Sequence, residues 1–90
     1  MGIREDMQER YGEQLLFADG FDEAILGVTI GFTNRVVYDA QKMADILVKD
    51  EDTDYPEAWE YLDFNTFQAY VGEQTPIYVN LEKDYVTTTD

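Results

Sequence analysis

Acidic side chains outnumber basic ones by 20 to 6, histidine is absent, and the formal charge of the 90-residue chain is −14 at pH 7. A fold built from this chain must place nearly all of its carboxylates on the surface, because burying an unpaired charge is prohibitively costly and basic partners are too few. Its apolar content has to supply a core in spite of the charge. Apolar residues make up 44% and aromatics 14% of the chain, and they occur in segments that can bury substantial surface. A folded body is therefore expected rather than disorder. Ninety residues suffice for one core only, so the chain reads as a single domain over residues 1–81 followed by an acidic, threonine-rich tail over 82–90.

Several kinds of chemistry are excluded at once. With no cysteine there is no disulfide, thiolate metal site or cysteine nucleophile. The negative potential repels nucleic acid and anionic membranes and attracts basic protein surfaces. Met1-Gly2-Ile3-Arg4-Glu5-Asp6 is polar and acidic where a signal peptide would be basic and then apolar, and no apolar run approaches a membrane span. Gly2 is discounted as a myristoylation site because Glu5 and Asp6 oppose an anionic leaflet and position 6 lacks Ser or Thr. A cytoplasmic protein is the expectation.

The spacing of Ile3, Met7, Tyr11 and Leu15 predicts an amphipathic N-terminal helix ending near Gly12. Residues 15–18 form a short apolar run that is either a first strand or the docking point of that helix. β-Branched and aromatic residues predict a strand over 24–32, a turn at Thr33-Asn34 and a second strand over 35–38, paired as an antiparallel hairpin. Asp39 is placed to cap a helix over 40–49 whose apolar face is Met43, Ala44, Ile46 and Leu47.

Asp54-Tyr55-Pro56-Glu57 is a helix start, with Asp54 as N-cap, proline in the first turn and Glu57 at the capping-box position. That helix is expected to run through Trp59, Leu62, Thr66 and Tyr70 to Gly72, with Ala58, Phe64 and Phe67 widening its apolar surface. A final strand covers 76–79, and Tyr85-Val86 could extend the sheet. The order predicts an α+β domain: a three- to four-stranded, mostly antiparallel sheet packed on one face by two or three helices.

Residues 17–28 (FADGFDEAILGV), 36–39 (VVYD) and 57–79 (EAWEYLDFNTFQAYVGEQTPIYV) together resemble a family of small proteins encoded in bacteriophage and bacterial genomes, in which a helix carrying a Phe-Asn pattern precedes Gly-Glu-x-Thr-Pro and a terminal strand. The resemblance implies a phage origin. It implies no activity, and no catalytic residue is carried over from it.

Three groups of residues invite a functional reading. Asp50, Asp52 and Asp54 alternate like the first half of a calcium loop, but Tyr55 stands where glycine is needed and Tyr61 where a bidentate glutamate should close the shell. Asp19, Asp22 and Glu23 form a second carboxylate cluster beside Gly20. Without histidine or cysteine the arrangements for general acid–base work are mostly missing, so no enzyme, catalytic residue, metal site or cofactor is expected. Asn65 and Thr75-Pro76 read as local backbone chemistry.

The leading expectation is a partner-binding face made of Asp50, Asp52, Asp54, Glu57, Glu60 and Asp63, with Asp45 nearby and aromatic anchors among Tyr55, Trp59 and Tyr61. Its partner would be a basic surface, including one that binds nucleic acid, on a host protein that a phage protein inhibits or modulates as a DNA mimic. The alternative is a structural or assembly protein that forms a homodimer through the hairpin edge, since residues 24–38 carry only one charge, Arg35.

Overall fold

The computed structural model describes residues 2–81. Helix α1 spans Ile3–Tyr11 and stops where Gly12, at φ 113°, takes a conformation that other residues avoid. Of the predicted stripe only Met7 and Leu15 are buried, and Ile3 and Tyr11 remain largely exposed. Arg4 does much of the docking instead. Its Nε donates to both carboxylate oxygens of Asp22 (2.8 and 3.1 Å), its Nη1 to Asp19 (3.2 Å), and its guanidinium lies 5.0 Å from the centre of the Phe17 ring. Residues 15–18 are the docking point and not a strand: Leu15 is buried, and Phe17 and Ala18 pack against the core.

A short 3₁₀ turn, Asp22–Ala24, leads into β1 (Ile25–Val28), which pairs antiparallel with β2 (Val36–Asp39). The register shifts between Ile25 and Gly27, leaving Leu26 as the extra residue of a bulge. The strand is shorter than its composition suggests, and the turn is wider than Thr33-Asn34. Thr29 and Asn34 account for both differences. Thr29 N–H donates to Arg35 O (2.8 Å), Arg35 N–H donates to Thr29 Oγ1 (2.9 Å), and Asn34 Nδ2 donates to Thr29 O (2.8 Å). These side chains satisfy backbone groups that a longer ladder would have used, and they release residues 30–34 as a loop.

Asp39 closes β2 and caps α2 (Ala40–Asp50), its Oδ1 accepting from Lys42 N–H at 3.2 Å. Asp54 likewise caps α3 (Tyr55–Leu62), accepting from Glu57 N–H at 3.0 Å, with Pro56 in the first turn. The Glu57 carboxylate accepts from Thr53 Oγ1 (2.5 Å). Regular helix ends at Leu62, ten residues before Gly72, and a π-helical turn occupies Asp63–Phe67. Asn65 Nδ2 donates to Tyr61 O (3.1 Å), diverting a carbonyl at the point where the repeat widens.

Strand β3 (Ile77–Val79) lies beside β2 and parallel to it, with Val37, Tyr38 and Asp39 opposite Ile77, Tyr78 and Val79. The sheet is therefore mixed, in the order β1-β2-β3, and not mostly antiparallel. The reason lies in the connection. Two helices stand between β2 and β3, which supplies the long crossover that a parallel pair requires and a hairpin turn cannot give. The predicted tail over 82–90, and Tyr85-Val86 with it, lies outside the described residues.

Alternation along β2 turns Val36 and Tyr38 inward. They meet Met43 and Ala44 of α2, Ala58 and Leu62 of α3, and Met7, Leu15, Phe21 and Ala24 in one core. Tyr78 sits against Tyr38 (centroids 5.7 Å apart), Phe67 against Tyr78 (5.0 Å), and Trp59 against Phe67 (6.1 Å), so an aromatic row joins the sheet to α3 and the π-helical turn.

Candidate docking face on helix α3

Burial of Ala58 and Leu62, four residues apart, fixes which side of α3 faces the core. A stripe flanking that buried side, made of Glu57, Glu60 and Tyr61 of α3 and Phe64 of the π-helical turn, is left exposed. Two clefts flank it. One, of about 570 Å³, has Leu47 and Ala58 among its lining together with Glu51, Glu57, Glu60, Tyr61 and Phe64. The other, of about 750 Å³, is lined by residues including Trp59, Asp63, Phe67 and Tyr78, and it shares Glu60 and Phe64 with the first. The Glu60–Phe64 pair is thus the ridge between two hollows.

The electrostatics are one-sided. From position 50 to 81 there is no lysine or arginine, while Asp50, Glu51, Asp52, Asp54, Glu57, Glu60 and Asp63 are all acidic and exposed. Among the described residues, the ion pairs are those of Arg4 with Asp19 and Asp22.

Not every predicted residue joins this face. Glu57, Glu60 and Asp63 line the clefts. Asp50, the last residue of α2, lies instead at a separate hollow with Asp22, Glu23 and Lys49. Asp52 is exposed in the loop at φ 54°, in the left-handed region, and Asp54 is committed to its cap. The Tyr55 hydroxyl donates to Asp45 Oδ1 (2.8 Å), and that bond, followed by a small burial penalty, raises the tyrosine's pKa. Trp59 is half-buried against the core and reaches the second cleft at its edge.

Phe64, assigned by its apolar character to the core side of the helix, is 71% exposed, and Tyr61 is 52% exposed. Phe64 and Glu51 are therefore the residues that sequence reasoning missed. A signal for Phe64 was present: Glu57, Glu60, Tyr61 and Phe64 recur at i, i+3, i+4 and i+7, which is a single helical stripe.

The other motifs have local explanations. Asp19 and Asp22 converge on Arg4, while Glu23 is exposed. Asp54 of the Asp50-Asp52-Asp54 series spends its carboxylate on Glu57 N–H. The buried Thr75 hydroxyl donates to Gly72 O (2.7 Å) and accepts from Val71 N–H (2.9 Å), so Thr75 is turn chemistry. Acidity is also not confined to α3, since Glu5, Asp6, Glu9 and Glu13 surround a hollow on α1. What sets the α3 face apart is that exposed Tyr61 and Phe64 line a hollow together with its carboxylates, whereas the hollow on α1 is lined by polar side chains alone. Among the described residues, no helix is long and apolar enough to cross a membrane. Comparison with known proteins finds no matching family model, no matching curated protein and no matching solved structure.

Proposed function

We propose that this chain is a protein-binding protein that presents α3 and its two clefts to a basic surface on another protein, as a modulator of a host factor in the host cytoplasm. The observation that supports it is the juxtaposition of Glu57, Glu60 and Asp63 with exposed Tyr61 and Phe64 on α3 and the π-helical turn that follows it, anchored by Ala58 and Leu62. Carboxylates on such a face attract a lysine- or arginine-rich surface and release its counterions, while aromatic side chains supply desolvated contact area and specificity. The resemblance of residues 17–28, 36–39 and 57–79 to phage-encoded proteins supports the host setting. Substitution for a phosphate row gives the finer reading, in which the partner's own ligand is nucleic acid.

Affinity capture from host lysate at low and high salt tests the proposal, with duplex DNA added as a competitor. The expected result is a basic protein held at low salt, released at high salt and displaced by DNA. Glu57→Lys, Glu60→Lys and Asp63→Lys together should abolish capture while leaving the circular dichroism spectrum unchanged. Unchanged capture by that variant would show that the α3 face is not the docking surface.

A further inference from the structure

The opposite in character to the α3 face is the end of the molecule formed by the hairpin loop and the turn before β3. Arg35 Nε donates to Thr75 O (2.6 Å) and Gln74 Nε2 donates to Asn34 O (3.0 Å), which ties residues 34–35 to residues 74–75. Ile30 and Phe32 project from the loop fully exposed, and Tyr70 and Val71, beside the same turn, are 76% and 61% exposed. Residues 29–35 and 70–76 contain one positive group, Arg35, and one negative group, Glu73. In a chain of charge −14 this end is neutral and apolar.

We infer that this end is a homodimer interface and that its occupant is a second copy of the chain. Charge selects the occupant. Two copies of so acidic a protein repel one another wherever carboxylates face carboxylates, and that repulsion is least where the two neutral ends meet. A two-fold axis there sets each apolar patch against its own likeness and allows Glu73 of either copy to approach Arg35 of the other. Area is the second argument. Phe32 and Tyr70 each bury roughly 150–250 Å² when covered, so with Ile30 and Val71 the patch comes to on the order of 500–700 Å² per copy, near the ~800 Å² per partner of a stable interface. Strand addition along β1 is the poorer route, because the bulge at Leu26 interrupts the edge. The hollows beside α3 share no lining residue with this end, so the two surfaces are distinct.

Sedimentation equilibrium of the full chain from micromolar to millimolar concentration, at about 0.01 M and about 1 M salt, tests the inference. The expected result is a mass of twice the chain that tightens as salt screens the residual repulsion. Ile30→Asp with Phe32→Asp should weaken association by at least about a hundredfold, and both side chains are exposed enough for the circular dichroism spectrum to be retained. A monomer at every concentration in both salts overturns the inference. So does a dimer that the double variant leaves intact, or a monomer that uses Phe32 to hold a different protein.

Discussion

Tyr38 and Tyr78 stand opposite one another on the parallel strands β2 and β3, with ring centroids 5.7 Å apart and 31° between their planes. The pair joins the middle of the sheet to the aromatic row that ends at Trp59, and the Tyr38 hydroxyl oxygen also accepts Ala18 N–H at 2.7 Å. Burial raises the pKa of both tyrosines above the ordinary value.

A pH dependence follows from that burial. In the unfolded chain both phenols ionise near pH 10. In the folded protein they hold their protons to higher pH, so above about pH 10 the unfolded state binds fewer protons and stability falls as pH rises. Below that pH the two tyrosines contribute no slope. Urea unfolding between pH 8 and pH 11, roughly, checks the prediction. Tyr38→Phe with Tyr78→Phe should flatten the alkaline limb, and a limb of undiminished slope in the double variant would contradict it.

Arg4 is the link between α1 and residues 17–22. Arg4→Met retains the apolar stem and removes the bonds to Asp19, Asp22 and Ala18 O. With 34% of the side chain exposed, the expected loss is about 1–2 kcal/mol. Hydrogen exchange should accelerate in α1 amides more than in α2. Equal acceleration in both helices would mean that Arg4 acts on the whole domain and not on the docking of α1.

Thr75 holds the turn that precedes β3. Thr75→Val preserves its shape and deprives Val71 N–H of its partner, while Gly72 O keeps the bond from the Thr75 backbone N–H (3.1 Å), at an expected cost of about 1–2 kcal/mol. The denaturant midpoint should fall with an unchanged m-value. A midpoint equal to that of the parent protein would show that water satisfies the freed Val71 N–H.

Self-repulsion among the surface carboxylates predicts that salt stabilises the fold. Raising the ionic strength from about 0.01 M to about 0.15 M shortens the screening length from roughly 30 Å to roughly 8 Å. A gain of about 1 kcal/mol would appear as a rise of about 4–8 °C in Tm. Glu60→Lys should reproduce part of this at low salt, about 0.5–1 kcal/mol, by replacing two repulsive i, i+3 pairs with Glu57 and Asp63 by attractive ones. A salt-independent Tm would refute the repulsion argument.

The legible parts of the chain were those governed by near neighbours. Asp39 and Asp54 announced their caps because a capping carboxylate bonds an amide three residues on, and both bonds are present. Gly12 marked the end of α1 for a similarly local reason. Of the predicted carboxylates, Glu57 and Glu60 lie on α3 and Asp63 follows directly in the π-helical turn. Asp50 was misplaced because it lies beyond a turn whose direction, set partly by Asp52 at positive φ, no spacing rule reports. Phe64 was misread because hydrophobicity says that a side chain can be buried, not that a neighbour exists to bury it.

Composition and local order alone determined a charged shell around a single core, two capped helices after a hairpin, and an uncharged stretch at that hairpin. Each depends on interactions within a few residues or on totals that folding cannot change. The parallel pairing of β3, the inward turn of Phe67 and outward turn of Phe64, and the division of the acidic residues among separate surfaces were decided only by tertiary structure. These depend on contacts between segments far apart in the chain, whose energies exist only once β2, α2 and α3 have packed together.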